Sequence, residues 1–208
     1  MVSVAIFDYG AGNIFSLKNS LEKVGATVSV ITDFDKPNNF SGIFLPGVGN
    51  FDPAMVSISK SATSFLDFVK ETPVFGICLG MEMFFKQSQE GIEKGLDVID
   101  GEVISLPNSL KVPHMGWNDL QIKEPGVILN GVKNGSWVYF VHSFRAKPDS
   151  DSVITAESDY GIKVPAVVEK DNFYGTQFHP EKSGDVGKIM LKNFLEECKK
   201  WKLFLQLI

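Results

Sequence analysis

The chain of 208 residues has few of the features that mark proteins for export, membranes or nucleic acids. It contains only two cysteines, Cys78 and Cys198, so it has no disulfide framework and we expect a reducing cytoplasm. Its first residues lack the basic, apolar and small-residue order of a secretion signal. No apolar run approaches the ~18 residues of a membrane helix. The net charge of -5 argues against general binding to nucleic acids or acidic membranes.

Motifs for metals and nucleotides are equally scarce. The three histidines, His114, His142 and His179, show no spacing typical of metal ligands. Residues 8–13 (DYGAGN) resemble a dinucleotide-binding loop, but Phe15 stands where the third glycine is required. We therefore expect no metal and no cofactor, so any chemistry must come from the side chains of the chain itself.

The order of apolar segments predicts a single α/β domain over residues 1–208. In the first half, short apolar runs alternate with segments of helical spacing, which favours a parallel sheet flanked by helices. From about Val103 the pattern changes to strands joined by tight turns, and the chain ends in a helix. We expect three layers, with a mostly parallel central sheet, flanking helices and an antiparallel β section in the C-terminal half. The predicted strands are 2–7, 28–31, 43–45, 74–77, 137–142, 153–156, 164–168 and 173–178.

Residues 76–80 (GICLG) place Cys78 between a buried strand and the start of a helix. Gly-x-Cys-x-Gly is the thiol form of the nucleophile elbow, a strained turn whose crowded flanking positions favour glycine. The helix that follows points its amide groups and its positive dipole end at the sulfur, which favours the thiolate. A lone cysteine at a strand end is equally compatible with a buried, inert thiol, so the assignment depends on finding a base.

His179 is the best candidate for that base, because it stands at a predicted strand end in residues 177–183 (QFHPEKS). Pro180 biases His179 toward extended backbone, and residues two apart in an extended chain project to the same side. We therefore expect Glu181 to lie beside His179 and to fix the imidazole tautomer that accepts the thiol proton. Alone, the pair would more simply be a surface His-Glu contact. Together with the elbow, it favours a Cys-His-Glu triad.

Six segments resemble the class I, or triad, glutamine amidotransferases, and they occur in the family's order over nearly the whole chain. The elbow and the His-Pro-Glu sequence indicate the superfamily. Two blocks, PHMGWN and YFVHS, are most similar to the glutaminase subunits that serve a cyclase in histidine biosynthesis. The resemblance implies the flavodoxin-like, three-layer fold of that family. The six segments are residues 8–13, 46–49, 76–81, 113–118, 139–143 and 177–183.

The resemblance also implies a role for each triad residue. Cys78 attacks the side-chain amide carbon of glutamine, His179 moves the proton to the departing ammonia, and Glu181 holds His179. Water then hydrolyses the thioester and glutamate leaves.

The oxyanion donors implied by the resemblance are the backbone N–H of Leu79 and one from the loop of Gly47 and Val48. This division follows the elbow pattern, in which one donor follows the nucleophile and the other comes from a neighbouring loop. A glycine loop that turns one peptide in or out can act as a switch, so we expect low activity for this chain alone.

For glutamine itself, the resemblance implies that Glu90 lies near the ammonium group and that backbone around His142 and Ser143 lies on the carboxylate side. Without the family, Glu90 would be read as a solvated loop charge. Glu82 is a departure, because family members usually carry glutamine at this position. A carboxylate there would repel the substrate's carboxylate unless Glu82 is protonated or turns toward the ammonium.

The partner implied is a phosphate-binding (βα)₈ cyclase that forms a heterodimer with this chain and accepts ammonia through a sequestered route. Asn13, Trp117, Tyr139 and Lys182 are placed at that interface, although the two aromatic residues could equally belong to the core. We expect His114 to be structural.

Two alternatives stay open at this point. One is a related enzyme on the same scaffold, either a glutaminase of a different synthase or a cysteine hydrolase. The other is a non-catalytic regulatory protein that kept the fold. The apolar C-terminal segment, residues 201–208, is expected to dock on another surface.

Overall fold

The computed structural model of the chain describes residues 1–10, 12–34, 40–60 and 62–205. Strands and helices alternate in the first half, and strands dominate the second. In chain order the elements are β1 (Val2–Phe7), α1 (Ile14–Lys23), β2 (Ala26–Ile31), β3 (Gly42–Leu45), α2 (Phe51–Ser59), α3 (Ala62–Val69), β4 (Val74–Ile77), α4 (Leu79–Glu82), β5 (Gly101–Ser105), β6 (His114–Asp119), β7 (Gln121–Ile122), β8 (Trp137–His142), β9 (Phe144–Pro148), β10 (Ile154–Asp159), β11 (Lys163–Lys170), β12 (Phe173–Thr176) and α5 (Gly184–Leu205), with 3₁₀ turns at Asp151–Val153 and Pro180–Lys182.

A mixed sheet of eight strands forms the centre, in the order β2-β1-β3-β4-β12-β11-β10-β7. The strands from β2 to β12 in this order run parallel to one another. The sheet continues through β11, β10 and β7 with antiparallel pairing. The parallel register of β4 with β12 sets Ile77 opposite Thr176, so these two strands end side by side.

Both faces of this sheet are covered, because successive strand residues point to opposite sides. In β1, Val4 and Ile6 join one hydrophobic core, and Ala5 and Phe7 join the other. The first core also contains residues of α1 and α5, and the second contains residues of α2, α3 and α4. The predicted three-layer fold with an antiparallel C-terminal section is therefore confirmed.

Two short antiparallel ribbons lie outside the main sheet, one of β5 and β9 and one of β6 and β8. The β6–β8 ribbon has a buried face and an exposed face. His114 and His142 pair across the ribbon on the buried face. Trp117 pairs with Tyr139 on the other face, where Trp117 is 52% exposed.

Several predicted boundaries differ from the structure. β12 ends at Thr176 rather than at Phe178, and α2, β6 and β9 were not predicted. Cys198 is fully buried on α5, as expected for a packing residue. Leu203 and Phe204 are exposed, and residues 206–208 of the apolar tail lie outside the described residues. In the ranges that the structure describes, no helix has the length and apolar character needed to cross a membrane.

Candidate active site

Cys78 occupies the sharp turn between β4 and α4, as the elbow pattern predicts. Its backbone has φ 50° and ψ -106°, a conformation that costs a non-glycine residue about 1–3 kcal/mol. The turn is held from both sides, because the Cys78 N–H donates to Thr176 O at 2.6 Å and Cys78 O accepts from Glu82 N at 2.9 Å. The fold therefore maintains a strained backbone at the thiol, where strain commonly marks function.

The glycines around the elbow are required by close packing. A Cβ at Gly76 would lie 2.6 Å from Met81 N, and a Cβ at Gly80 would overlap the carbonyl of Leu45. Gly47, on the loop after β3, is equally constrained, since its Cβ would lie 2.9 Å from Cys78 Cβ and would overlap the Ile77 carbonyl. The glycine loop after β3 thus lies directly against the nucleophile turn.

A pocket of about 300 Å³ opens in front of this turn. It lies at the carboxyl end of the parallel strands, where ligands bind in open α/β sheets. The ribbon residues at its far side come from the end of β8 and the segment that follows. The residues that line the pocket are Gly47, Val48, Gly49, Cys78, Leu79, Glu82, Glu90, Pro113, Val141, His142, Ser143 and Phe144.

His179 lies two residues past the end of β12, next to the elbow strand. Its Nδ1 is 2.9 Å from Glu181 Oε1, and both side chains are almost fully buried. Its Nε2 is also buried and has no hydrogen-bond partner. A carboxylate on Nδ1 fixes the proton there, which leaves Nε2 as an acceptor.

The His179–Glu181 pair forms for a different reason from the predicted one. His179 is extended, with φ -100° and ψ 99°, but Pro180–Lys182 forms a 3₁₀ turn rather than continued strand. This turn brings the Glu181 carboxylate back to the ring. The His179 N–H donates to Tyr139 O at 2.9 Å, and Ser183 Oγ donates to His179 O at 2.7 Å.

The thiol of Cys78 is neutral in this environment, contrary to the expected thiolate. Burial raises the pKa of Cys78 well above its usual range, and the nearby carboxyl of Glu82 raises it further. The Leu79 N–H lowers it, but α4 has only four residues and supplies little dipole. The Cys78 thiol lies 3.8 Å from Val141 O, to which it donates. The Glu181 carboxylate is near enough to raise the Cys78 pKa as well.

Two residues beside the nucleophile were not assigned from sequence, although both lie in the six motif segments. Gln177 Nε2 donates to Glu82 Oε1 at 2.8 Å and lies 3.8 Å from Cys78 Sγ. Tyr9 is buried, its hydroxyl has no partner, and burial with the charges of Cys78 and Glu82 raises its pKa. The loops after β1 and β12 therefore complete a polar cluster around the sulfur.

Glu90 is partly buried and fixed in place, unlike a solvated loop charge. Its Oε2 accepts from the Phe51 N–H at the start of α2, at 2.9 Å, and burial raises its pKa. Asp52 holds the same loop by accepting from the N–H groups of Ile92 and Glu93, both at 3.0 Å from Oδ1. The Glu90 carboxylate is thus positioned at the rim of the pocket.

His142 lines the pocket, but both of its ring nitrogens are already used. Nδ1 donates to Phe144 O at 2.7 Å, and Nε2 is 2.9 Å from His114 Nδ1. Since Nδ1 of His142 carries the proton, Nε2 must accept from His114. Burial lowers the pKa of His142 to about 3 and that of His114 to about 4, so the two rings are neutral at pH 7. His142 therefore offers backbone rather than its ring, as expected, and His114 has the structural role predicted for it.

Three of the four residues assigned to a partner interface lie together. Trp117 and Tyr139 have ring centroids 6.0 Å apart, and Lys182 Nζ is 5.8 Å from the Tyr139 ring centroid. Trp117 is exposed and Tyr139 is half-buried, so Trp117 is not a core aromatic. Asn13 is exposed at the N-cap of α1, where its Oδ1 accepts from Ser16 N at 3.2 Å. No group of His, Cys, Asp and Glu side chains suited to a metal ion occurs within the part of the chain that the structure describes.

Comparison with known proteins identifies the family. Residues 5–198 match the family model described as glutamine amidotransferase class-I. The chain belongs to this family. The expectation that it is an enzyme of the glutamine amidotransferase class is thereby confirmed.

Curated relatives extend the similarity over the whole chain. An imidazole glycerol phosphate synthase subunit HisH from Archaeoglobus fulgidus is 46% identical over 205 residues, covering 95% of this chain and 100% of the relative. A HisH subunit from Caldanaerobacter subterraneus is 42% identical over 200 residues, covering 94% of this chain and 98% of the relative.

Solved structures share the fold at lower identity. A putative GMP synthase protein from Thermoplasma acidophilum has a TM-score of 0.77 at 18% identity, covering 99% of this chain and 98% of that one. A structure described as a glutamine amidotransferase has a TM-score of 0.73 at 17% identity, covering 95% of this chain and 98% of that one. At this identity the likeness extends to the fold alone.

Proposed function

We propose that this chain is the glutaminase subunit of imidazole glycerol phosphate synthase. It hydrolyses L-glutamine to glutamate and ammonia, and a cyclase partner uses the ammonia to make imidazole glycerol phosphate and AICAR in histidine biosynthesis. The chain needs no cofactor, and the reducing cytoplasm keeps its thiol free. The observation that carries the proposal is the pairing of β4 with β12, because it brings the ends that bear Cys78 and His179 side by side.

The reaction begins with proton transfer within the triad. His179 Nε2, unpartnered and held as an acceptor by Glu181 on Nδ1, takes the thiol proton of Cys78 as the sulfur attacks the amide carbon. Because the resting thiol is neutral, attack and proton transfer are coupled. His179 then donates this proton to the departing nitrogen, ammonia leaves, and a thioester remains. Water, deprotonated by His179, hydrolyses the thioester and restores the thiol.

The oxyanion of the tetrahedral intermediates is held by backbone donors. Leu79 N–H already points at the sulfur, and the loop of Gly47 and Val48 lies against the same turn. A single such donor contributes about 2.7–4 kcal/mol to the transition state. Loss of the loop donor in the isolated chain would make glutamine cleavage depend on the partner.

Glutamine binds in the pocket through its charged ends. The carboxylates of Glu82 and Glu90 face the substrate ammonium, and backbone near His142 and Ser143 faces the substrate carboxylate. Glu82 therefore fits the pocket by turning toward the ammonium, not the carboxylate.

The partner is a (βα)₈ cyclase that forms a heterodimer with this chain. Its docking surface is the exposed face around Trp117, Tyr139 and Lys182, with Asn13 at the start of α1. This surface adjoins the His179 segment, since Ser183 Oγ also accepts from Tyr139 N at 3.0 Å. Ammonia released at Cys78 passes toward this surface without entering bulk solvent.

Glutamate release from L-glutamine tests the proposal, measured for the chain alone and with the cyclase. We expect low turnover alone, strong stimulation by the cyclase with its ligand, and loss of both on Cys78→Ala. Full turnover without a cyclase would refute the partner dependence. Stimulation only by another ammonia-using synthase would assign the chain to a different pathway, and absence of turnover with any synthase would indicate a regulatory protein.

A further inference from the structure

Four side chains from separate parts of the fold form a buried polar cluster behind the nucleophile, here called the Glu82 cluster. Its members are Tyr9, Cys78, Glu82 and Gln177. Gln177 joins the other two polar groups, since its Nε2 lies 2.8 Å from Glu82 Oε1 and 3.8 Å from Cys78 Sγ. Its Oε1 is buried without a partner, as is the hydroxyl of Tyr9.

Glu82 is unusual because a carboxyl group this deeply buried is normally paired with a cation. Its side chain belongs to a residue only 4% exposed. The groups that face it in the described chain are Cys78 on its own turn, Glu90 on the next loop, Tyr9 after β1 and Gln177 after β12. None of these is a cation, so an ionised Glu82 has only the Gln177 amide to stabilise it.

We propose that Glu82 is a positioning residue for the nucleophile, acting through Cys78: it shares the Gln177 amide with the sulfur and, once ionised, opposes formation of the thiolate. This role rests on the proposed glutaminase function and adds a control on when the nucleophile is active. The negative charge that disfavours the thiolate is the same charge that faces the substrate ammonium. Binding of that ammonium offsets the charge and removes the opposition, so Cys78 gains reactivity with substrate in place.

The control has a defined pH range. Burial raises the pKa of Glu82 to about 8, so the side chain is neutral below that pH and ionised above it. Below about pH 8, Glu82 and a glutamine in its place carry the same charge. Above it, only Glu82 adds a negative charge beside the sulfur.

Alkylation of Cys78 by iodoacetamide measures this effect without glutamine or a partner. The rate is followed from pH 6.5 to 9.5 by mass spectrometry, for the native chain and for Glu82→Gln. We expect equal rates near pH 7 and a rate about three- to tenfold faster in Glu82→Gln at pH 9.5, since each unit of thiol pKa changes the thiolate fraction tenfold. Cys198, fully buried, serves as an internal check that the chain stays folded.

Two variants separate charge from packing. Glu82→Asp keeps the charge and should follow the native chain above pH 8, whereas Glu93→Gln removes an exposed carboxyl elsewhere and should leave the Cys78 profile unchanged. A ratio of Glu82→Gln to native rates that does not change with pH would overturn the proposal. Glutaminase activity that survives Cys78→Ala would overturn both this proposal and the proposed function, while a flat ratio with Cys78-dependent activity overturns this proposal alone.

Discussion

His179 Nδ1 lies 2.9 Å from Glu181 Oε1 in a buried environment, and the opposite ring nitrogen has no hydrogen-bond partner. The pair thus presents one imidazole nitrogen with a fixed role and one that is free to accept a proton. This arrangement is what a base needs before the substrate arrives.

Replacement of the carboxylate tests this arrangement directly. Glu181→Gln keeps the size of the side chain, but its amide can donate to Nδ1 and leave the proton on Nε2, which then cannot accept one from Cys78. We expect the glutaminase kcat of the complex to fall by roughly 10²- to 10⁴-fold. Glu102→Gln, at an exposed carboxylate paired with Lys147, should leave kcat unchanged. A native kcat in Glu181→Gln would show that the imidazole is not oriented by this carboxylate.

The glycine loop should tolerate no side chain at Gly47. A Cβ there would lie 2.9 Å from Cys78 Cβ and overlap the Ile77 carbonyl, so the loop must move away from the nucleophile. We expect Gly47→Ala to lower kcat by roughly 10²- to 10³-fold through loss of the oxyanion donor. Circular dichroism and thermal unfolding should show a folded protein.

Gly131→Ala is the matched control for that change. Nothing lies within 4 Å of its added Cβ, although its φ of +77° brings some strain. It should cost stability of about 1 kcal/mol and leave kcat intact. If both variants lose activity equally, the packing of Gly47 against the elbow has no special role.

The nucleophile strand was predictable because its signals are local. A buried apolar run followed by Gly-x-Cys-x-Gly specifies both the strand and the turn, and the bounds of β1 and β4 agree with the prediction. Helix α2 was missed because its local signals are weak: Asn50 makes no side-chain cap, Pro53 lies in the first turn, and Val and Ser are modest helix formers. Its packing over the sheet stabilises it instead.

The Glu82 cluster was not predictable from the sequence, because it depends on which strands are neighbours. Tyr9 follows β1 and Gln177 follows β12, and only the strand order brings both to the turn after β4. The burial of Glu82 likewise comes from the tertiary structure. The conclusion that His179 and Glu181 meet was right, but the local geometry is a 3₁₀ turn that Pro180 begins.

The buried carboxyl of Glu82 should make stability fall as the pH rises. Its pKa is about 8 in the folded chain, against an ordinary value of 4.5, so the folded state holds a proton that the unfolded state releases between these values. Unfolding is therefore favoured increasingly from pH 4.5 to 8. The maximum effect is about 5 kcal/mol at pH 8.

Glu82→Gln removes this dependence. We expect the variant to be more stable than the native chain at pH 8 and nearly equal to it at pH 4.5, with urea denaturation as the measurement and unchanged m-values as the check on two-state unfolding. Glu93→Gln, at an exposed position, provides the control for charge number. A stability difference that is the same at both pH values would show that Glu82 does not titrate in this range.

The neutral histidine pair should support the substrate pocket through Phe144. His142 Nδ1 donates to Phe144 O at 2.7 Å and so fixes the segment that includes Ser143. His142→Asn can keep a donor near Nδ1, whereas His142→Gln places its amide near Nε2 and loses that donor. We expect His142→Gln to raise the KM for glutamine by roughly fivefold, the effect of about 1 kcal/mol, and His142→Asn to raise it less. Equal KM values in the two variants would show that the donor to Phe144 is unimportant.

The exposed aromatic surface should carry most of the affinity for the cyclase. Trp117 is 52% exposed and contacts Tyr139, and aromatic residues of this kind dominate interface energetics when a partner buries them. We expect Trp117→Ala to weaken binding of the cyclase by about 2 kcal/mol, or roughly thirtyfold in Kd, in a calorimetric titration. Val56→Ala, at an exposed position on α2 on the other face of the sheet, should leave the Kd unchanged. If Trp117→Ala binds as tightly as the native chain while Val56→Ala does not, the cyclase docks on the α2 face, and the stimulation of glutamine cleavage must reach Cys78 from that side.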